Sequence, residues 1–251
     1  MSELEFHTLL VQGVFLVAAL TVPALLFISA PYGRHARGGW GGQMDTRLAW
    51  MVMESPSVLW FTAVFFAGSQ AWGLVPLLLW VLWQSHYVQR AFIFPLKIRP
   101  GGLTPISVVA MGFVFNLVNA YVNARWIGEF GAYEIGWLLD PRLWLGVGLF
   151  VLGYKINRRA DAVLAGLRKP GETGYKIPRG GLYELISCPN YFGELLEWTG
   201  WAIATWSVAG LSFAVFTAAN LVPRALTHHK WYKQKFPEYP PGRKAVIPFL
   251  L

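Results

Sequence analysis

Apolar residues in this chain come in long runs that are separated by shorter polar segments. A helix that crosses a membrane needs roughly 20 mostly apolar residues, because the hydrocarbon core of a bilayer is about 30 Å thick. Seven runs are candidates, and they cover residues 6–29, 48–68, 73–94, 104–124, 142–156, 191–206 and 208–222. The pattern predicts an all-α integral membrane protein, with residues 1–251 forming a single domain built as a bundle of seven transmembrane helices.

Basic residues fall almost entirely on one side of this predicted bundle. That side receives the loops that contain residues 32–47, 95–103 and 157–190 and the tail after residue 222, whereas the other side holds only Arg125 and Arg142. Cytoplasmic loops of membrane proteins are enriched in Lys and Arg. The asymmetry therefore predicts an N-terminus outside the membrane and a C-terminus in the cytoplasm.

Composition agrees with a membrane protein. The chain is 55% hydrophobic and 14% charged, whereas soluble domains carry about 25% charged residues. Its net charge of +8 follows from the basic loops, so we predict no nucleic-acid partner. The single cysteine, Cys188, excludes an internal disulfide and a cysteine-based metal site.

Ionisable side chains inside two of the spans are candidate functional groups. Glu54 precedes Pro56 in the second span, and Gln84, Tyr87 and Arg90 are spaced by three in the third, which puts them on one helix face. A phenol near a carboxylate and a cation can serve as a proton donor. An interfacial glutamate and an arginine that snorkels to water would explain the same residues, and both interpretations stay open.

Two further spans carry polar side chains. Glu194 and Glu197 share a face near Asn190 at the start of the sixth span, where they could bind a polar ligand or simply occupy a solvated first helical turn. The fourth span has a stripe of asparagines, which could line a pocket or hold helices together. These asparagines are Asn116, Asn119 and Asn123.

Basic and aromatic residues are concentrated in the cytoplasmic stretch 157–190 and in the tail after residue 222. This combination suits a phosphate-bearing ligand with a flat ring. The chain lacks the glycine-rich motifs of Rossmann and P-loop sites. His228 and His229 point in different directions on a helix and have no obvious third ligand, so we predict no metal site.

Several motifs, taken in order, resemble the steroid 5α-reductase family (3-oxo-5α-steroid 4-dehydrogenases). The resemblance covers most of the chain and is strongest after Asn157. The motifs are Tyr32-Gly33-Arg34-His35, Glu54-Ser55-Pro56, His86-Tyr87-Val88-Gln89-Arg90, and residues 157–161, 175–183, 190–198, 224–232 and 240–250.

The resemblance implies seven transmembrane helices, NADPH as the hydride donor, and reduction of the double bond of a 3-oxo-Δ4 steroid. By position, Glu54 and Tyr87 match the pair that contacts the 3-keto oxygen. Eight residues match cofactor-contacting positions: Asn157, Asp161, Arg168, Tyr175, Asn190, Glu194, Tyr232 and Arg243. We expect five residues in the substrate pocket: Met53, Arg90, Asn116, Asn119 and Trp198. Residues 1–156 would then hold the substrate and residues 157–251 the cofactor.

Two departures from the family pattern leave the substrate open. Met53 replaces a glutamine of the animal enzymes, and Thr227 replaces a histidine in a run of three. In the expected reaction, hydride reaches C5 and negative charge develops on the carbonyl oxygen, to which Tyr87 donates a hydrogen bond. Glu54 would orient Tyr87, or would itself donate if burial keeps it protonated.

Other functions remain as alternatives. The chain could reduce another lipid enone or enoyl substrate, such as a polyprenal, a sterol or an enoyl thioester. It could be a membrane methyltransferase of the isoprenylcysteine type that uses S-adenosylmethionine, or a binding protein without catalysis. Because the sequence looks like a bacterial relative of the animal enzymes, we expect a monomer surrounded by lipids in a bacterial inner membrane.

Overall fold

The computed structural model describes residues 1–31, 33–35, 37–169 and 171–251. Tyr32, the first residue of the earliest family-like motif, lies outside these ranges. The helices in the described ranges are α1 Glu3–Phe27, α2 Thr46–Glu54, α3 Leu59–Phe66, α4 Leu74–Val88, α5 Phe94–Lys97, α6 Ile106–Arg125, α7 Pro141–Gly166, α8 Pro189–Thr205 and α9 Val208–Lys235. Two short strands, β1 Gln43–Asp45 and β2 Leu103–Pro105, pair antiparallel, with Met44 opposite Thr104.

Helix starts follow local capping chemistry. Ser2 and Glu5 form a capping box at α1, Asp45 accepts hydrogen bonds from backbone amides at α2, and Asp140 and Ser207 do the same at α7 and α9. These side chains satisfy amides that the first helical turn leaves without partners. The caps place the start of each helix within a few residues of the predicted boundary.

Short irregular turns join some helices into longer segments. The turn Ser55–Ser57 connects α2 to α3, and the π-helical turn Gln89–Ile93 connects α4 to α5. Seven helical segments result within the described ranges. Four are long and apolar enough to cross a membrane: Glu3–Phe27, Thr46–Phe66, Ile106–Phe130 and Val208–Lys235. A helical membrane protein is thereby supported, whereas seven crossings and their orientation stay predictions.

Two helices extend beyond their predicted ends, and those predictions were wrong. The last span was expected to stop at residue 222, but α9 continues through Pro223 to Lys235, and α7 continues from residue 156 to Gly166. The extension of α9 is stabilised by its contacts, because the Arg224 guanidinium donates to the Tyr191 hydroxyl at 3.0 Å and the same hydroxyl lies 3.2 Å from His228 Nε2. The basic tail is therefore partly an ordered helix that packs on the start of α8.

Glycines bring α7 and α8 unusually close together. A Cβ atom on Gly153 would lie 2.5 Å from the backbone nitrogen of Glu197, and one on Gly193 would lie 2.5 Å from that of Asn157. Gly146 and Gly200 face each other in the same way further along the two helices. Small residues at such positions let helix backbones approach in a membrane, where packing drives association. The contact fixes the relative positions of polar groups on both helices.

The tail beyond α9 folds back against the segment that precedes α8. Ile186 pairs with Lys244 in a parallel bridge, and the Cys188 amide donates to the Ala245 carbonyl at 3.0 Å. Cys188 and Val246 belong to the small apolar cluster that forms there. The tail thus covers the start of α8.

Cys188 under this tail is expected to resist thiol reagents in the folded protein. Its side chain is buried, and burial raises the pKa of the Cys188 thiol to about 12, so the reactive thiolate is scarce at neutral pH. Maleimide should label the thiol slowly in mild detergent and rapidly after denaturation, as measured by mass spectrometry. Equal labelling rates in the two states would contradict the packing described for the tail.

Candidate active site

Glu54 occupies the last turn of α2, where an asparagine of α6 holds its carboxylate. Asn116 Nδ2 donates to Glu54 Oε2 at 3.2 Å and to the Met53 carbonyl at 2.8 Å, while Ser57 Oγ donates to Asn116 Oδ1 at 2.9 Å. The turn that contains Pro56 ends the regular helix here, which leaves the Met53 carbonyl free to accept. Glu54 and Asn116, predicted separately from sequence, are therefore direct neighbours.

Tyr87 lies on α4 and faces the same group. Its hydroxyl interacts with the Ser57 side chain and with the charge of Glu54. The Tyr87 ring is 4% exposed and packs against Trp83 at 4.8 Å and Trp198 at 5.5 Å between ring centroids. Ser57 thus lies next to both Tyr87 and Asn116, and Asn116 holds Glu54, at the edge of an aromatic cluster. A phenol held this way can donate a hydrogen bond into an apolar space.

Trp198 and the other residues expected at the substrate have different surroundings. Trp198 lies in the aromatic cluster, 4.4 Å from the Phe213 ring. Met53 packs on Gly112 of α6, where a Cβ atom would lie 2.5 Å from Met53 Cγ. Asn119 is fully buried, and its Oδ1 accepts from Asn123 Nδ2 at 3.0 Å. Asn119 therefore contacts Asn123 within α6, and Asn123 Oδ1 in turn accepts from Trp201 Nε1 of α8 at 2.8 Å.

Arg90, also expected at the substrate, pairs with two residues expected at the cofactor. Its guanidinium lies 3.6 Å from Asp161 of α7 and 3.4 Å from Glu194 of α8, between the rings of Trp50 and Phe94. A cation in a bundle of apolar helices requires such partners. Arg90 therefore joins the turn after α4 to α7 and α8.

Four residues expected at the cofactor form one connected cluster. Asn157 Nδ2 donates to Glu194 Oε1 at 3.0 Å and to the Asn190 carbonyl at 3.1 Å, and Asn190 Nδ2 donates to Asp161 Oδ1 at 3.3 Å. The cluster lies across the close contact of α7 and α8. Amide donors beside carboxylate acceptors suit hydroxyl and carboxamide groups of a ligand.

The remaining cofactor candidates surround a basic and aromatic region near the end of α9. Arg34 lies over the rings of Tyr175, Trp231 and Tyr232 at 5.7, 4.9 and 4.6 Å. Arg168 also lies over the Tyr175 ring, at 5.6 Å. Tyr175 and Tyr232 therefore share one cation, although they are far apart in sequence.

Arg243 is anchored beneath this region by the returning tail. The residue is 2% exposed, and it donates to the Pro178 carbonyl at 3.0 Å and to Glu184 at 3.4 Å. The Gly180 amide, together with the charges of Arg243 and Arg179, holds the pKa of Glu184 below its usual value. Arg243 thereby connects the tail to the loop that follows Tyr175.

Two buried guanidinium nitrogens in this region have no hydrogen-bond partner within the described residues: Arg34 Nη1 and Arg243 Nε. A buried donor without a partner is costly, and an anionic ligand would satisfy it. Aromatic rings, guanidiniums, amides and carboxylates together match the adenine, phosphates, riboses and carboxamide of a nicotinamide dinucleotide. The donor set therefore fits such a cofactor.

Sequence reasoning missed two features of this site. Arg34 appeared only within a motif, and its role depends on rings from two distant segments. Glu197 was grouped with Glu194, but it instead pairs with His86 of α4, with 2.7 Å between Oε1 and Nδ1. A buried glutamate and a buried histidine on different apolar helices were the available signal, since intramembrane charges are usually paired.

Comparisons with known proteins identify the family. A family model described as 3-oxo-5-alpha-steroid 4-dehydrogenase matches residues 103–251. The chain is 46% identical to steroid 5-alpha-reductase DET2 of Gossypium hirsutum, over 98% of this chain and 97% of that protein. It is 44% identical to 3-oxo-5-alpha-steroid 4-dehydrogenase 1 of Bos taurus, over 99% and 100%. The chain therefore belongs to the steroid 5α-reductase family.

Proposed function

We propose that this protein reduces the C4–C5 double bond of 3-oxo-Δ4 steroids to give 5α-dihydrosteroids, with NADPH as the reductant. The family is one of oxidoreductases that act on CH–CH bonds, which is consistent with a nicotinamide cofactor. The observation that carries the proposal is the convergence of Glu54 and Tyr87 beside an apolar aromatic cluster. Arg90 links this pair to the amide and carboxylate cluster of α7 and α8.

NADPH would be held by the residues that fit its parts. Asn157, Asp161, Asn190 and Glu194 would bind the nicotinamide and its ribose, and Arg34, Arg168 and Arg243 would neutralise phosphates beside the Tyr175 and Tyr232 rings. The bound cofactor would supply hydride to the substrate.

The chain's own contribution is to stabilise the charge that hydride addition creates. As C5 gains hydride, the π electrons of the enone move onto the 3-keto oxygen to give an enolate. After hydride transfer, C4 takes a proton from solvent as the enolate returns to the ketone. Tyr87 would donate a hydrogen bond to that oxygen, which lowers the barrier most when the donor is fixed beforehand. Glu54, held by Asn116, would orient the Tyr87 hydroxyl. The surrounding rings would exclude water from the reacting atoms.

The direct test is anaerobic incubation of purified protein with NADPH and testosterone, followed by product stereochemistry. We expect stoichiometric NADPH consumption and a 5α product. Turnover of a polyprenal or an enoyl thioester without steroid turnover would replace the proposed substrate. Thermal stabilisation by S-adenosylmethionine and not by NADPH would favour a methyltransferase. Ligand binding without turnover of any substrate would favour a binding protein.

Removing the Arg34 side chain should weaken NADPH binding. Arg34→Ala deletes a cation that lies over three rings and carries a buried unpartnered nitrogen, and a hydrogen bond to a charged group is worth about 1.5–3 kcal/mol. We expect Kd to rise by roughly 10- to 100-fold, as measured by the fluorescence of bound NADPH.

Arg37→Ala is the matched control for this prediction. Arg37 belongs to the same loop, but it donates to the Ser29 carbonyl at 2.7 Å and lies over the Trp40 ring. The Arg37 variant should bind NADPH as the parent does. An unchanged Kd for Arg34→Ala would remove Arg34 from the cofactor site.

The membrane arrangement is part of the proposal. We infer seven crossings with an external N-terminus and a cytoplasmic C-terminus, in a monomer of the bacterial inner membrane. Residues 1–156 would form mainly the substrate site and residues 157–251 the cofactor site. Glu134 and Lys169 are both at exposed positions. A membrane-impermeant thiol reagent should label Glu134→Cys in intact cells and Lys169→Cys only after lysis. The reverse pattern would invert the topology.

A further inference from the structure

His86 and Glu197 form a buried pair that the proposed reaction does not use directly. Their side chains are 5% and 0% exposed, and the two heavy atoms lie 2.7 Å apart. The second carboxylate oxygen of Glu197 is buried without a hydrogen-bond partner in the described part of the chain. Among the described residues, His86 is therefore the single hydrogen-bond partner of the Glu197 carboxylate.

The pair lies deeper in the bundle than the Arg90–Glu194 pair, between the same two helices. His86 is one turn before Arg90 on α4, and Glu197 is one turn after Glu194 on α8. Two polar contacts thus connect α4 and the π-helical turn that follows it to α8 in succession. The first contacts the cofactor cluster, and the second lies beside Tyr87.

The His86 imidazole contacts the Tyr87 ring and also the Trp198 ring that packs on Tyr87. Its ring meets the Tyr87 ring edge-on, at 4.9 Å and 75°, and it meets the Trp198 ring edge-on, at 4.7 Å and 69°. The rings of Trp83 and Trp198 are instead tilted against Tyr87, by 32° and 35°. Three rings therefore surround Tyr87, and the His86 ring is the one nearly perpendicular to it. The hydrogen bond to Glu197 fixes the orientation of the His86 ring.

We propose that His86 is a positioning residue for Tyr87, held in its orientation by Glu197. The hydrogen bond at Nδ1 fixes the imidazole, and the imidazole edge prevents the Tyr87 ring from turning away from Glu54 and Ser57. This inference rests on the proposed role of Tyr87 as the donor to the 3-keto oxygen. It adds that the donor is kept in place by the hydrogen-bonded His86–Glu197 pair.

The decisive variant is His86→Asn. The asparagine amide can take the place of Nδ1 and keep the hydrogen bond to Glu197, but it removes the ring edge that touches Tyr87. We expect kcat to fall by about 10²-fold, since a displacement of about 1 Å can cost that much. The steroid KM and the Kd for NADPH should change little, because neither ligand is contacted. The single variant Glu197→Gln keeps an acceptor for His86 Nδ1 and should therefore retain most of the parental kcat.

A double variant separates positioning from a general structural effect. If His86 acts only through the Tyr87 hydroxyl, then adding His86→Asn to Tyr87→Phe should cause no further loss of kcat, because groups that act as a unit are not additive. Equal losses in the parental and Tyr87→Phe backgrounds would overturn the proposal. His7→Gln is the matched control, since His7 is also a buried histidine, bonded to the Val122 carbonyl at 2.9 Å between α1 and α6.

A second readout needs neither cofactor nor turnover. With 3-fluorotyrosine incorporated at position 87, the parental protein should give one dominant ¹⁹F signal, and His86→Asn should give several or a broadened one. A single sharp signal in His86→Asn with parental kcat would sink this inference and leave the proposed function intact. Parental turnover by Tyr87→Phe would instead sink the proposed role of Tyr87, whatever the ¹⁹F result.

Discussion

Tyr87→Phe is expected to fold, to bind NADPH as the parent does, and to lose about 10²–10³-fold in kcat, the usual cost of removing one donor to a developing oxyanion. The ring packing against Trp83 and Trp198 is preserved, because only the hydroxyl is removed. That hydroxyl interacts with the Ser57 side chain and with the charge of Glu54. Single-turnover kinetics with testosterone would measure the loss.

Glu54→Gln should lose turnover in the same assay, because the amide keeps the contact with Asn116 but cannot accept from Tyr87 as strongly as a carboxylate. Tyr133→Phe is the matched control. Tyr133 is another buried phenol, and it donates to the Thr205 carbonyl at 2.7 Å. Its variant should lose stability while kcat stays at the parental value. Testosterone reduction at the parental rate by Tyr87→Phe or Glu54→Gln would show that the assignment is wrong.

Gly153→Val should prevent α7 and α8 from packing and so abolish the folded protein. A Cβ atom at this position meets the Glu197 backbone at 2.5 Å and the Gly193 carbonyl more closely still. Backbone atoms of a packed helix cannot rotate away as side chains do, so the helices must separate. Overpacking of this kind costs roughly 3 kcal/mol or more, and it also moves Asn157 away from Glu194.

Gly148→Val tests whether this effect is specific to the contact. Gly148 lies on the same helix, five residues earlier, with open space around it. We expect Gly148→Val to elute as a single species in detergent and to bind NADPH, whereas Gly153→Val should aggregate or melt at a much lower temperature. A Gly153→Val protein that melts and binds NADPH like the parent would refute the close packing of these helices.

Much of the architecture could be predicted from the sequence, because apolar runs and charge asymmetry are local signals. The starts of α1, α8 and α9 lie within a few residues of expectation. The end of α9 could not be predicted, since Pro223 and the basic residues after it resemble a stop signal. Partners from other segments, such as Tyr191 of α8, explain why the helix continues.

Side-chain pairs between distant helices were the other feature that could not be predicted from the sequence. The sequence showed that Glu197 and His86 are ionisable groups in apolar surroundings, but they are separated by 111 positions. The sequence predicted that Glu194 and Glu197 act together on one helix face. In the structure Glu194 pairs with Arg90 and Glu197 pairs with His86. The motifs that resemble the family identified Glu54 and Tyr87, and the geometry adds the Asn116 and Ser57 contacts that connect them.

The glycine contact between α7 and α8 also bears on how this scaffold could diversify. Gly153 and Gly193 leave no room for α8 to slide along α7, so the groups expected to hold the cofactor keep one registration whatever changes around them. Away from this contact, Met53 packs on Gly112 of α6, and the Phe115 ring lies against the Phe213 ring of α9. Substitutions among the residues expected to hold the substrate, with the glycine contact preserved, would let new substrates be acquired while the redox chemistry stays the same.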